Sequence, residues 1–549
     1  MVVDSHLLKI MVMAAAVTML STLNVAARPA AIATGRVALA FTVSEIFFML
    51  NRFANLFYLP LLAVDVDLAA KTGDTGMLST QLCWVLMSAA VGAGAAWALL
   101  PSFVELYRQG VYALEYRKSM VRVVVRMMHP SSVRKVVAAA RRPSLLGTRL
   151  FKLGNVPADF LIANVIATAI WTAGPLCALL ASAIAPQYKS TAVLLSGMVN
   201  AFAAIAFAVF VDPKAAVITD EAVAGERPKE DVDIAAVHLS AGNFLGACLG
   251  LLVLWPGTEW ILWISKSVGS QGGNLVSDIW VLALANAIIT ILSSTSYASR
   301  VSAVVTKRVA TALTVYNVFF LVTRLAQQIY SPVLGSVRDY VVDQHLPMEV
   351  LGHAFRTVIF GASLGSLIAC LMLDTFVEIY NKAVVSLDRL NGSVPRLLGE
   401  MFQPRAWAAV FRCLRKPTTF GLTWADFKAL PQGFLWGNLF VTSVYTIGVL
   451  SAIYAGAQLD STLARTATLL SSVVNGLATI TISLVVWPTL ALMVDECVRG
   501  VRPMKHIYAS AFYLMIGMLI GTVLSQLLFD FATQVIVVGA HVFQTVIHR

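Results

Sequence analysis

Apolar stretches of about 20 residues or more recur along the whole chain, separated by shorter polar segments. Each is long enough to cross roughly 30 Å of hydrocarbon as a helix. They fall near 7–27, 37–63, 78–104, 157–185, 190–218 and 234–264, then again near 279–299, 309–335, 349–380, 431–457, 465–494 and 506–540. This pattern predicts an all-α polytopic membrane protein of about twelve transmembrane helices. Composition points the same way. Of 549 residues, 58% are hydrophobic and 13% charged, against about 45–50% and 25% in soluble domains. Soluble cores stop growing near roughly 250–300 residues, so a water-soluble protein of several domains is excluded.

Lys and Arg outnumber Asp and Glu by 40 − 29 = 11. In a soluble protein that excess would suggest nucleic acid. Here the positive residues lie between apolar spans, so the predicted partners are anionic membrane lipids and no nucleic acid. The loops after the odd-numbered spans hold about 30 of the basic residues, whereas the opposite loops hold only Lys71, Lys189, Lys266 and Arg338. The positive-inside rule makes the rich side cytoplasmic and leaves both termini outside, in a bacterial cytoplasmic membrane. Two cytoplasmic segments, 108–152 and 381–428, are strongly basic. In the first, Lys118, Arg122 and Arg126 follow at four-residue steps with Val121, Val125 and Met128 between them, the pattern of an amphipathic helix in the headgroup layer.

The chain is one unit written twice. At an offset of 272, residues 34–60 lie over 306–332; the offset then drifts to 273, where FVELY (103–107) lies over FVEIY (376–380), and on to 275. DEAVAGERP (220–228) lies over DECVRGVRP (495–503). A fixed long period means tandem structural units. It predicts two six-span repeats, 1–272 and 273–549, related by a pseudo-twofold axis along the membrane normal. Such a duplication can stand in for a homodimer. Because residues 279–300 reproduce the first span, that span is read as a helix and not as a cleaved leader. Gly242, Gly246 and Gly250, and Gly517 with Gly521, recur at four-residue spacing, which lets helix backbones approach closely.

Charged residues within the spans are the candidate site. Arg52 lies about 15 residues into the second span, roughly 22 Å along a helix, and Arg324 occupies the same depth in the eighth. A charge at such depth costs at least about 2.5–3.5 kcal/mol on insertion scales. Either these arginines pair with acidic groups of neighbouring spans, or they line a shared cavity and hold an anionic group, for which the planar guanidinium is well suited. Glu45 lies on the same helix face as Arg52, and its counterpart is Asn317. Arg356, near the end of the ninth span, adds a charge where the first repeat has Cys83. Glu105 and Glu378 repeat at the cytoplasmic ends of the third and ninth spans. Asp220, Glu221 and Arg227 repeat as Asp495, Glu496 and Arg502. These groups brace tight cytoplasmic turns or form gating contacts.

Enzyme signatures are missing. The sequence holds no GxxxxGK[ST], GxSxG or HExxH, and its six cysteines show no CxxC spacing. A membrane-embedded enzyme needs titratable groups clustered at one depth, and only scattered singles occur. No metal, no cofactor and no catalytic residues are predicted.

The runs RVALAFTVSEIFFMLNRFANL (36–56) and SGMVNAFAAIAFAVFVDPKAAVITDEAVAGERP (196–228) resemble the Amj family of alternate lipid II flippases. TKRVATALTVYNVFFLVTRLA (306–326) and residues 353–384 of the second half are similar to the same family's early spans. The resemblance covers nearly the whole chain in two copies, whereas the family's usual form has one. It implies translocation of lipid II, the undecaprenyl-pyrophosphate-linked peptidoglycan precursor, from the inner to the outer leaflet, with the span-2 arginine at Arg52 and Arg324. The alternatives are carriage of another polyprenyl-linked glycan or a small anion, and a scaffold for cell-envelope enzymes. The DPKA motif at 212–215 becomes Trp-Pro-Thr-Leu at 487–490, which leaves open whether both halves contribute equally.

Overall fold

Several helices begin where a side chain can accept the first unpaired amides, and several end where the backbone turns left-handed. Asp4 accepts from the amide of Leu7 at 2.7 Å and Asp74 from that of Met77 at 2.8 Å, each opening an apolar helix. Gly35, Gly73, Gly225 and Gly500 close helices at φ of 66°, 77°, 81° and 74°, a region that a residue without Cβ enters freely. The structure is a computed structural model that describes residues 4–117, 141, 156–390, 394–401, 403–417, 422–460, 463–498 and 500–547. Among the described residues there are helices at all twelve expected positions and no strands. Ten of these helices are long and apolar enough to cross a membrane. The other two expected spans, the second and eighth, are the helices Val37–Thr72 and Val309–Asp343. They carry the polar residues discussed below. The protein is a polytopic all-α membrane protein.

The chain forms two compact units. The first comprises Met1–Val268, Leu459–Leu470 and Gly539–Arg549, and the second Gly269–Gln458 with Ser471–Val538. In the first unit the main core is built from Leu62, Val66, Leu82, Leu86, Leu176 and Leu180, all buried, on the second, third and fourth spans. In the second, Phe376, Tyr380, Phe434, Met493 and Leu514 meet in one cluster.

Local geometry recurs at the sequence offset within each unit. Phe47 stacks on Tyr107 with centroids 4.7 Å apart, and Phe319 packs on Tyr380 at 5.0 Å. The side-chain amide of Asn164 donates to the carbonyl of Leu239 at 3.1 Å, and that of Asn438 to Leu514 at 3.0 Å. A wide helical turn occupies Phe207–Val211 in one unit and Ile482–Val486 in the other; such turns are uncommon and cluster at functional positions. Each immediately precedes residue 212 or 487. The spaced glycines are packing contacts: a Cβ on Gly246 would lie 2.6 Å from the carbonyl oxygen of Val165, and one on Gly521 3.0 Å from that of Leu439.

In the 381–428 segment the described residues form short helices, Val394–Met401, Pro404–Phe411 and Trp424–Lys428. Phe411, Leu414 and Trp424 are exposed beside Arg405, Arg412 and Arg415, a composition suited to headgroups. Lys118, Arg122 and Arg126 lie outside the described residues. One clasp anchors this segment: Asp426 accepts from Lys505 at 2.9 Å and from the amide and hydroxyl of Thr423, both at 2.8 Å. The Lys505 hydrogen bond, then those of Thr423, hold the Asp426 carboxyl down at about 2. Because this lies below the unfolded value of about 3.9, the contribution is fully present above about pH 4 and is lost only as pH falls through about 2. Trp424 stacks on Phe427 at 4.5 Å, so its emission is expected to stay constant from pH 8 to pH 4 and to change below pH 3. A transition near pH 5–6 would contradict the assignment.

Candidate functional site

On the eighth-span helix, Asn317, Phe320, Arg324 and Gln327 fall at i, i+3, i+7 and i+10, one face of an α-helix. All four are exposed on their unit. The Arg324 guanidinium stands 6.0 Å from the centroid of Phe320 and has no carboxylate partner among the described residues. Thr323, by contrast, is buried and bonds back to the carbonyl of Phe319 at 2.9 Å. The helix therefore packs through one side and presents a mixed aromatic and polar stripe on the other. At this depth an exposed guanidinium demands a polar neighbourhood or an anion.

The second span carries the corresponding residues Glu45, Phe48, Arg52 and Asn55. Phe48 is exposed, as Phe320 is. Asn55 donates to the Asn51 side chain at 2.6 Å, and Asn51 donates to the carbonyl of Val17 at 3.3 Å. The side chains of Glu45 and Arg52 lie outside the described residues, as do those of Asp220 and Asp495.

Arg356 is tied down within its unit. It meets Asp530 at 2.7 Å and the carbonyl of Gln526 at 2.8 Å, with Phe529 5.5 Å below, and Gln526 returns a bond to the Arg356 carbonyl at 2.7 Å. This closed set of contacts braces the ninth span against Met504–Ile547. Asn317 makes no comparable contact among the described residues.

The repeated acidic residues form local braces. Arg227 meets Glu221 at 2.7 Å, and Arg502 meets Glu496 at the same distance, each spanning a glycine-closed turn. Glu105 is pushed upward by burial. Hydrogen bonds from Gln109 and Arg108 outweigh that, with help from the Arg108 and Arg141 charges, and hold its carboxyl below the ordinary range. Glu378 meets Arg415 at 3.4 Å and Lys382 at 4.0 Å.

Two buried arginines escape the sequence reading. Arg465 is only 2% exposed. It donates to Asp67 at 2.6 Å and to the Ser182 hydroxyl at 2.8 Å, and its remaining nitrogen reaches the Ser182 carbonyl. Asp67 also accepts from the backbone amide of Arg465 at 3.2 Å. All three residues belong to the first unit. In the second, Arg338 bonds Asp339 at 3.1 Å and the carbonyl of Gly456 at 2.6 Å. Asp67 and Asp339 are equivalent in the repeat, as are Ser182 and Gly456. Arg338, expected in an external loop, is instead 1% exposed. It lies in the helix Val309–Asp343, whose end is buried by Gln432–Gln458.

Ten helices long and apolar enough to cross a membrane, with no strands among the described residues, define a multi-pass all-α membrane protein. The chain belongs to the Amj family: the family's sequence model, described as "Alternate to MurJ", matches residues 13–265 and again 285–540. It is similar to the Lipid II flippase Amj of Bacillus subtilis (strain 168), 28% identical over 242 residues, which make up 44% of this chain and 89% of that protein. No solved structure matches the chain.

Proposed function

We propose that this protein is a lipid II flippase of the bacterial cytoplasmic membrane, moving the undecaprenyl-pyrophosphate-linked precursor from the inner to the outer leaflet. The observation that carries this reading is the double match to the Amj family, whose Bacillus subtilis member is named a lipid II flippase. The two matched stretches support a tandem of six-span repeats, 1–272 and 273–549, that together supply what two single-copy chains would. An exposed guanidinium with no carboxylate partner among the described residues, at the position of Arg324, fits a pyrophosphate in transit, since charge-assisted hydrogen bonds to phosphate are strong in low dielectric. Alternating access, with Arg52 and Arg324 facing one passage, is the mechanism this favours. The braces at Glu221–Arg227 and Glu496–Arg502 would stiffen the turns at the predicted cytoplasmic side.

The test is exposure of lipid II on the outer leaflet of cells depleted of their other flippases. Expression of this protein is expected to restore it. Arg52→Ala combined with Arg324→Ala should lower the restored exposure at least tenfold while the protein still inserts. Failure of the unaltered protein to restore exposure would overturn the flippase reading. Full restoration by the inserted double variant would remove both arginines from the mechanism, the behaviour of a scaffold.

A further inference from the structure

The two repeats differ in the charge set beside their equivalent first-span arginine. Arg28 and Arg300 are equivalent residues, both half-buried, at the ends of the first and seventh spans that the charge asymmetry assigns to the cytoplasm. In the first unit Arg28 lies 3.5 Å from the carboxylate of Asp212, the residue that follows the wide turn Phe207–Val211. In the second unit the residue following the equivalent turn is Trp487. The helix bearing Trp487 packs against that of Arg300 just as the helix of Asp212 packs against that of Arg28. Arg300 has no carboxylate partner among the described residues.

Arg300 also begins a ladder. Its guanidinium carbon stands 5.3 Å from the Tyr316 centroid, Tyr316 lies 5.7 Å from Phe320, and Phe320 lies 6.0 Å from the Arg324 guanidinium. From Tyr316 to Arg324 this run climbs roughly 12 Å along the helix. Aromatic faces attract cations and hold both guanidiniums without neutralising them, so each keeps its capacity for an anion. The first unit has no aromatic residue at the rung equivalent to Tyr316: Ser44 stands in its place, its hydroxyl turned to the carbonyl of Phe41 at 2.7 Å, and Arg28 stands over Phe41 at 5.6 Å.

We infer that the second unit carries a phosphate track that begins at Arg300, the binding residue for a pyrophosphate group near one end, with Arg324 as the next station. The first unit is neutralised at that level by Asp212. This rests on the pyrophosphate-lipid reading above. The ligand chemistry is a pyrophosphate, whether attached to a polyprenyl chain or free.

The experiment measures binding to the purified full-length protein in nanodiscs, with undecaprenyl pyrophosphate, inorganic pyrophosphate and uncharged undecaprenol as probes. Undecaprenyl pyrophosphate is expected to bind at least tenfold more tightly than undecaprenol. Arg300→Gln and Trp487→Asp should each weaken it at least tenfold, the second by placing a carboxylate where the first unit has one. Arg28→Gln and Trp487→Asn should stay within twofold; the latter controls for loss of the indole. Equal losses from Arg28→Gln and Arg300→Gln, or none from Trp487→Asp and Arg300→Gln, would overturn the inference. Binding of inorganic pyrophosphate with no retention of the lipid form would overturn its lipid component. Arg300-dependent lipid binding by a protein that fails to restore lipid II exposure would dismiss transport and leave the site standing. Restored exposure that is indifferent to Arg300→Gln and Trp487→Asp would do the reverse.

Discussion

Asp67→Ala is expected to destabilise the first unit by about 3–5 kcal/mol, the range for removing one partner of a buried ion pair. The damage comes from what is left behind. Arg465 would keep its bonds to the Ser182 hydroxyl and carbonyl but lose its only described carboxylate at 2.6 Å, in a place 2% exposed. Asp67 also accepts from the backbone amides of Arg465 at 3.2 Å and Thr466 at 3.4 Å, the first turn of Ala464–Leu469, so its loss uncaps that helix. An isolated buried guanidinium is far more costly than a matched apolar pair of similar volume. The double variant Asp67→Leu with Arg465→Met should therefore recover most of the loss, and either single variant should not. Thermal unfolding in detergent, read by fluorescence-detected size exclusion, checks the order. A single Asp67→Ala variant as stable as the parent would show that the pair contributes nothing.

This knot also marks how far the sequence could be read. The spans were legible because about 20 consecutive apolar residues have one stable meaning in lipid, and the duplication because a period of 272 is visible without any structure. Arg28 and Arg300 could be aligned as repeat partners, and Trp487 could be recognised as a departure from Asp212. That Asp212 meets Arg28 could not, since the pair is 184 residues apart. Asp67 and Arg465 are 398 residues apart; nothing local in either segment announces the other. Arg338 misled for a related reason. Arginine near the end of an apolar run normally reaches water; here the Gly456 carbonyl, 118 residues away and brought to it by packing, and its chain neighbour Asp339 make burial tolerable. Arg356 reads in the sequence as an added charge near the end of its span, whereas the structure sets Asp530, 174 residues away, against it. Charges within a span can be located by counting residues, but their partners are a property of tertiary packing.

Gly361→Val should be the most damaging substitution in the second unit, and Gly92→Val the most damaging in the first. A Cβ at either position would lie 2.1 Å from a backbone carbonyl oxygen, that of Ala283 or Ala15 respectively. Neither neighbour is a flexible side-chain tip; each is the backbone of the facing helix, so the two helices would have to separate along their whole contact. Helix association in lipid depends on such close approach, because tails offer no hydrophobic penalty to drive the helices together. Overpacking typically costs about 1–3 kcal/mol where side chains can shift; with backbone on both sides, a loss above about 4 kcal/mol is expected, seen as failure to accumulate folded protein. Gly365→Ala, whose Cβ would meet the Ala287 carbonyl oxygen at 2.4 Å, should be nearly as severe despite adding a single methyl group. Gly433→Ala is the control: nothing lies within 4 Å of its would-be Cβ, and the helix propensity gained favours alanine by up to about 1 kcal/mol. Equal yields of folded protein from Gly361→Val and Gly433→Ala would mean that the first and third spans of each repeat do not pack backbone to backbone.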